Sequence, residues 1–199
     1  MKLLFLHGLA SSGAYKMAST LRILLRCEVL APDLPIEPDR VEALLADICL
    51  TEHPDLVVGL SWGGFWAQKL RGLKKVLVNP DFHVSRLMRT KLGEVAYLSP
   101  RADGARSFWI SPELCDAYEA LEAVQFDGLD AAERALTRGC FATEDELVHC
   151  GDEFALHYGA AARVDYPGTH LPNYPETKQF ILPVLQALVG RMGTAFLSS

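Results

Sequence analysis

The sequence predicts an α/β fold: a doubly wound, mostly parallel sheet of about six strands with one helical insertion, in a single domain over residues 1–199. Two patterns point to it. Short apolar runs alternate with longer segments of helical period, as a parallel sheet with covering helices requires. The runs themselves almost never alternate with polar residues, which is how strands buried on both faces read. A chain of 199 residues, half of them hydrophobic, supports one sizeable core and little more.

The first strand is 2–6, where Leu3, Leu4, Phe5 and Leu6 follow Lys2. This apolar run stops at His7-Gly8 with no small-residue cleavage site after it, so it reads as a strand and not as a secretion signal. A helical segment at 14–25 leads to the strand 27–31, and the helix 40–50 sets Val41, Leu44, Leu45 and Ile48 on one face. The strand 56–59 runs into the helix 63–71, and the strand 75–78 ends at Asn79-Pro80. The spacing then breaks, and residues 81–138 pass before the next strand at 139–143. That insertion has a helical pattern at 112–124 and exposed-looking aromatics Phe108, Trp109 and Tyr118. Connections of this length tend to be functional, and a lid or cap is expected here. A helix at 152–158, a strand at 162–166 and a helix at 176–189 complete the pattern.

The formal net charge of −6, with acidic and basic residues mixed along the chain, offers no basic face for nucleic acid or anionic lipid. No stretch reaches the ~20 apolar residues of a membrane span. Five cysteines (Cys27, Cys49, Cys115, Cys140, Cys150) cannot all pair within the chain and show no CxxC spacing, so reduced, mostly buried thiols of a cytoplasmic protein are expected. His149, Cys150, Asp152, Glu153 and His157 are metal-ligand types, but their spacing fits no zinc pattern and a polar helix face accounts for them. Neither a metal nor a cofactor is expected.

The strand Leu56-Val57-Val58 enters Gly59-Leu60-Ser61-Trp62-Gly63-Gly64 and then a helical segment, which is GxSxG in the strand–turn–helix setting its mechanics require. Such a turn strains the serine backbone and leaves no room for side chains two residues to either side, where Gly59 and Gly63 stand. Ser61 is the candidate nucleophile. The first strand ends in His7-Gly8-Leu9 followed by Ala10-Ser11-Ser12-Gly13. The backbone N–H groups of Leu9 and Trp62 are the candidate oxyanion donors, with Gly8 letting the loop turn and His7 ordering it.

A serine hydroxyl needs a base and a carboxylate to orient that base, in the chain order Ser, Asp or Glu, His. His170 follows the last strand in Asp165-Tyr166-Pro167-Gly168-Thr169-His170 and is the candidate base, while His149 and His157 are expected to face solvent. For the acid, Asp145 directly follows the strand 139–143. Asp152 is the runner-up, explained as well by a place at a helix start, and Glu144 and Glu146 read as solvated.

His-Gly with a small polar loop, GLSWGG after a strand, TEDELV after a later strand and PGTH near the end together resemble the YqiA-type small esterases, a compact α/β-hydrolase group. The resemblance covers nearly the whole chain, including Val78-Asn79-Pro80, and departs at Trp62, where a smaller or aliphatic residue is expected. It implies Asp145 as triad acid and cofactor-free hydrolysis of a small-molecule carboxylic ester. The same machinery serves thioesterases, peptidases and acyltransferases, and a non-catalytic binding protein of this fold is a further alternative.

Overall fold

The computed structural model describes residues 1–190. In chain order the elements are β1 (Lys2–Leu6), α1 (Lys16–Leu25), β2 (Glu28–Leu30), α2 (Pro38–Glu52), β3 (Leu56–Leu60), α3 (Trp62–Lys69) and β4 (Lys74–Val78). The insertion carries α4 (Val84–Arg89), β5 (Gly93–Ala96), β6 (Ser107–Ile110), α5 (Pro112–Ala123) and α6 (Ala131–Leu136). The chain continues through β7 (Thr137–Ala142), α7 (Gly151–Tyr158), β8 (Arg163–Tyr166), α8 (Tyr174–Glu176), a π-helical turn (Thr177–Ile181) and α9 (Leu182–Gly190).

Six strands form one sheet in the order β2-β1-β3-β4-β7-β8, every neighbouring pair parallel. Successive side chains of a strand face opposite sides, so each buried strand feeds two cores. Leu3 and Phe5 pack with Met17 and Leu21 of α1 and Leu185 and Leu188 of α9. Leu4 and Leu6 pack with Val41 and Leu45 of α2, Phe65 and Trp66 of α3 and Phe154 of α7. The sheet is thereby covered on both faces, as its uninterrupted apolar runs require. From β1 the chain steps outward to β2, then crosses back to β3 and continues the other way. The carboxyl ends of β1 and β3 therefore flank a topological switch point, where open α/β sheets place their ligands.

The insertion differs from the sequence reading in two ways. It contains an antiparallel hairpin, β5 with β6, in which Glu94 pairs with Trp109 and Val95 with Phe108. Two strands of four residues each, one of them carrying an exposed glutamate, give too short a period to be read along the chain. Of the three aromatics expected to be exposed, only Trp109 is, and Phe108 is half-buried. Tyr118 is fully buried on the inner face of α5, where its hydroxyl donates to Ile36 O at 3.0 Å. Ser111 caps α5 by accepting from Leu114 N, with Pro112 at the first helical position, which explains why that start was legible.

Candidate active site

Ser61 sits between β3 and α3 with φ +55 and ψ −120, a conformation that costs a non-glycine residue on the order of 1–3 kcal/mol. Its surroundings hold it there. Its N–H donates to Val78 O at 3.0 Å, and its carbonyl accepts from Gly64 N at 2.8 Å, Phe65 N at 3.3 Å and Asp81 N at 3.2 Å. A Cβ on Gly59 would lie 2.3 Å from Gly63 O and 2.6 Å from Ala67 Cβ, and one on Gly63 would lie 2.1 Å from Leu6 O. Only glycine fits at either position, and their absent side chains let α3 close onto β1 and β3.

The loop after β1 approaches this turn: a Cβ on Gly8 would stand 3.9 Å from Ser61 Oγ. Gly8 has no positive φ; in this loop that conformation belongs to Ala10, at φ +59. His7 orders the loop. Its Nδ1 donates to Gly8 O at 2.8 Å and its Nε2 accepts from Leu34 N at 3.0 Å, a pairing that only the neutral ring with Nδ1 protonated can make. Burial pushes the His7 pKa down to about 4, consistent with that neutral form. The N–H groups of Leu9 and Trp62 have no acceptor among the described residues, as oxyanion donors must not. The Trp62 side chain, however, is buried against His7 and Tyr118, with ring centroids 6.0 and 6.4 Å away. It belongs to the core beneath the site, which explains why a large residue is tolerated there.

The insertion fastens this loop from outside. Leu98 N donates to Ala10 O at 2.7 Å, and Ser12 Oγ to Pro100 O at 2.7 Å. The Asp33 carboxylate joins the two sides by accepting from Gly13 N and Ala102 N, both at 2.7 Å.

On the other side of the sheet's carboxyl edge, His170 Nδ1 lies 2.7 Å from Asp145 Oδ2, with both residues buried. The loops that carry them follow the adjacent strands β7 and β8 and are stitched together by Thr143 N donating to Tyr166 O and Glu144 N to Gly168 O, each at 2.9 Å. Asp145 Oδ1 accepts from Leu147 N at 2.8 Å and Val148 N at 3.0 Å. Burial would raise the Asp145 pKa, but the His170 bond and these two amides outweigh it and hold the carboxyl below the ordinary carboxylate value.

The other candidates fall elsewhere. Asp152 is fully exposed in the first turn of α7, paired to Arg163 Nη1 at 2.5 Å, while His170 pairs with Asp145. Glu144, Glu146 and His149 are exposed. His157 is not a solvent-facing side chain: it is half-buried and stacked on Phe126 with centroids 3.7 Å apart. Ser61 Oγ and His170 are not hydrogen-bonded to each other among the described residues, yet both border the turn 79–81, which bonds to the Ser61 backbone on one side and to the His170 carbonyl on the other.

That turn holds two buried polar residues the sequence reading assigned no role. Asn79 binds the His170 loop. Asp81 is 6 % exposed and accepts from His83 N at 2.9 Å, and burial raises its pKa. An Asn-Pro-Asp directly after a buried strand was the available signal. The ligand atoms of His83, Cys150 and Glu153 lie within 4.8 Å of one another, a geometry that could hold a metal ion. The His83 imidazole is already satisfied by Glu153 Oε2 at 2.7 Å. No helix among the described residues is long and apolar enough to cross a membrane.

Comparisons with known proteins agree with this architecture. Among solved structures, the esterase domain of a Rhodothermus marinus protein is 23% identical with a TM-score of 0.63, over 96% of this chain and 86% of that one. The monoacylglycerol lipase of Paleococcus ferrophilus is 14% identical with a TM-score of 0.63, over 95% and 94%. A fluorophosphonate-binding serine hydrolase of Staphylococcus aureus is 19% identical with a TM-score of 0.59, over 94% and 83%. A search of curated proteins gives no match to this sequence. The model of the alpha/beta hydrolase family matches residues 3–190, and the chain belongs to that family.

Proposed function

We propose that this protein is a serine hydrolase that cleaves small carboxylic esters or thioesters, in keeping with its resemblance to the YqiA-type esterases. The observation that carries the reading is the 2.7 Å contact between Asp145 and His170 at the same sheet edge as Ser61 on its strained turn. Ser61 Oγ attacks the acyl carbonyl while His170 Nε2 takes its proton, and Asp145, bonded to Nδ1–H, fixes the tautomer and stabilises the imidazolium. The tetrahedral oxyanion rests on the Leu9 and Trp62 amides. The proton then passes from His170 to the leaving alkoxide or thiolate, and water, deprotonated by the same imidazole, releases the acid from the acyl-enzyme.

Substrate size follows from the walls. With Trp62 and Tyr118 buried in the core, they build no deep acyl tunnel. Among the described residues, cavities of about 260 to 620 Å³ open without Ser61 or His170 in their linings, one of them beside Asn79. The acyl site is shallow, and the 81–138 insertion caps it as a shoulder fastened to the oxyanion loop. A buried methylene contributes about 0.8 kcal/mol, so kcat/KM for p-nitrophenyl esters rises over the first few acyl carbons and then stops rising. The experiment has two parts: labelling of wild type and Ser61→Ala by a fluorophosphonate probe, and kcat/KM across an acyl series. Undiminished labelling of Ser61→Ala overturns the serine mechanism. A rate maximum at long chains overturns only the shallow site.

A further inference from the structure

Asn79 is buried, with 2 % of its surface exposed, and its φ of +44 is the left-handed conformation that asparagine tolerates better than other residues bearing a side chain. All the hydrogen-bonding groups of its side chain are used. Nδ2 donates to His170 O at 2.8 Å, with Thr169 O at 3.3 Å, and to the Tyr166 hydroxyl at 3.0 Å. Oδ1 accepts from Ala142 N at 2.7 Å, and the backbone N–H donates to Cys140 O at 2.9 Å. One amide thus spans the carboxyl ends of β4, β7 and β8 and holds the peptide of His170 itself.

A ring held only through Nδ1 can still pivot about that contact, because the backbone bearing it lies in a loop. Fixing the carbonyl of the same residue removes that freedom and aims Nε2. We propose that Asn79 is a positioning residue for His170: by gripping its carbonyl from the end of β4, it sets the ring against Asp145 and toward Ser61. The inference rests on the reading of His170 as the general base. A bland alternative is that Asn79 only braces the strands through Tyr166 and Ala142. The chemistry separates the two. Asn79→Asp retains an acceptor for Ala142 N but turns an oxygen, in place of the donor, toward two carbonyl oxygens. Asn79→Gly adopts the same φ without strain and removes all the side-chain bonds. Tyr166→Phe deletes the phenol contact and leaves the His170 grip intact.

The full-length variants are compared by rate of fluorophosphonate labelling, by kcat and KM for p-nitrophenyl acetate, and by the downfield proton NMR resonance of His170 Nδ1–H. Asn79→Asp and Asn79→Gly should lower the labelling rate and kcat on the order of 10²-fold while KM moves less than about threefold, and should shift or broaden that resonance. Tyr166→Phe should stay within about twofold of wild type. Labelling of both Asn79 variants within about threefold of wild type overturns the proposal. So does an equal loss in Tyr166→Phe, and so does failure of both Asn79 variants to fold, either of which would assign the side chain to the sheet. Retained labelling of Ser61→Ala instead sinks the functional reading and leaves the Asn79 geometry untouched.

Discussion

The two halves of the candidate site are held by different physics. The Ser61 turn is fixed by main chain and by sterics: four backbone hydrogen bonds close on one residue, and at two glycines an added Cβ would lie 2.3 and 2.1 Å from neighbouring carbonyl oxygens. The Asp145–His170 half is fixed by side chains reaching across strands, with Asp145 capping its own loop and Asn79 holding the histidine's carbonyl. A locally determined turn is robust and readable. A side-chain network is tunable, and single substitutions can detune it without unfolding the sheet.

The sharpest test of that contrast is on the first half. Ser61→Ala should lower kcat by roughly 10⁴–10⁶ with the fold intact by circular dichroism, since it removes a hydroxyl and none of the backbone bonds. On the second half, Asp145→Asn should lower kcat on the order of 10⁴-fold by presenting the wrong partner to Nδ1. Asp152→Asn, which breaks only an exposed ion pair, should leave kcat within about twofold. Steady-state kinetics on one activated ester decides both, and a reversed result moves the acid to Asp152.

A smaller effect tests a titrating anchor on the nucleophile side. His7 has a folded pKa of about 4 against an ordinary 6.5, so the unfolded chain binds its proton first. Its contribution is fully present above pH 6.5 and drains away as pH falls toward 4, by about 3 kcal/mol. Urea unfolding at several pH values between 4 and 7 should show this slope in wild type and a shallower one in His7→Gln, whose neutral amide does not titrate. Equal slopes would mean that His7 is protonated in the folded protein and that the loop is held some other way.

The sequence by itself determined the parallel sheet, because strands covered on both faces must be apolar throughout, and the Ser61 turn, because its steric demands fall on residues two positions away. It also placed Asp145 and His170 just past the ends of β7 and β8, since a parallel strand delivers its following loop to one edge. Only the tertiary structure decided what depends on distant partners. Tyr118 turned inward because α5 presents that face to Ile36, eighty-two positions earlier. His7 stays neutral because the fold buries its ring, where its Nε2 accepts from Leu34 N. Asn79 meets His170 across ninety-one positions of chain. No local pattern encodes such pairings; that of Asn79 with His170 exists only once the strand order has brought β4, β7 and β8 side by side.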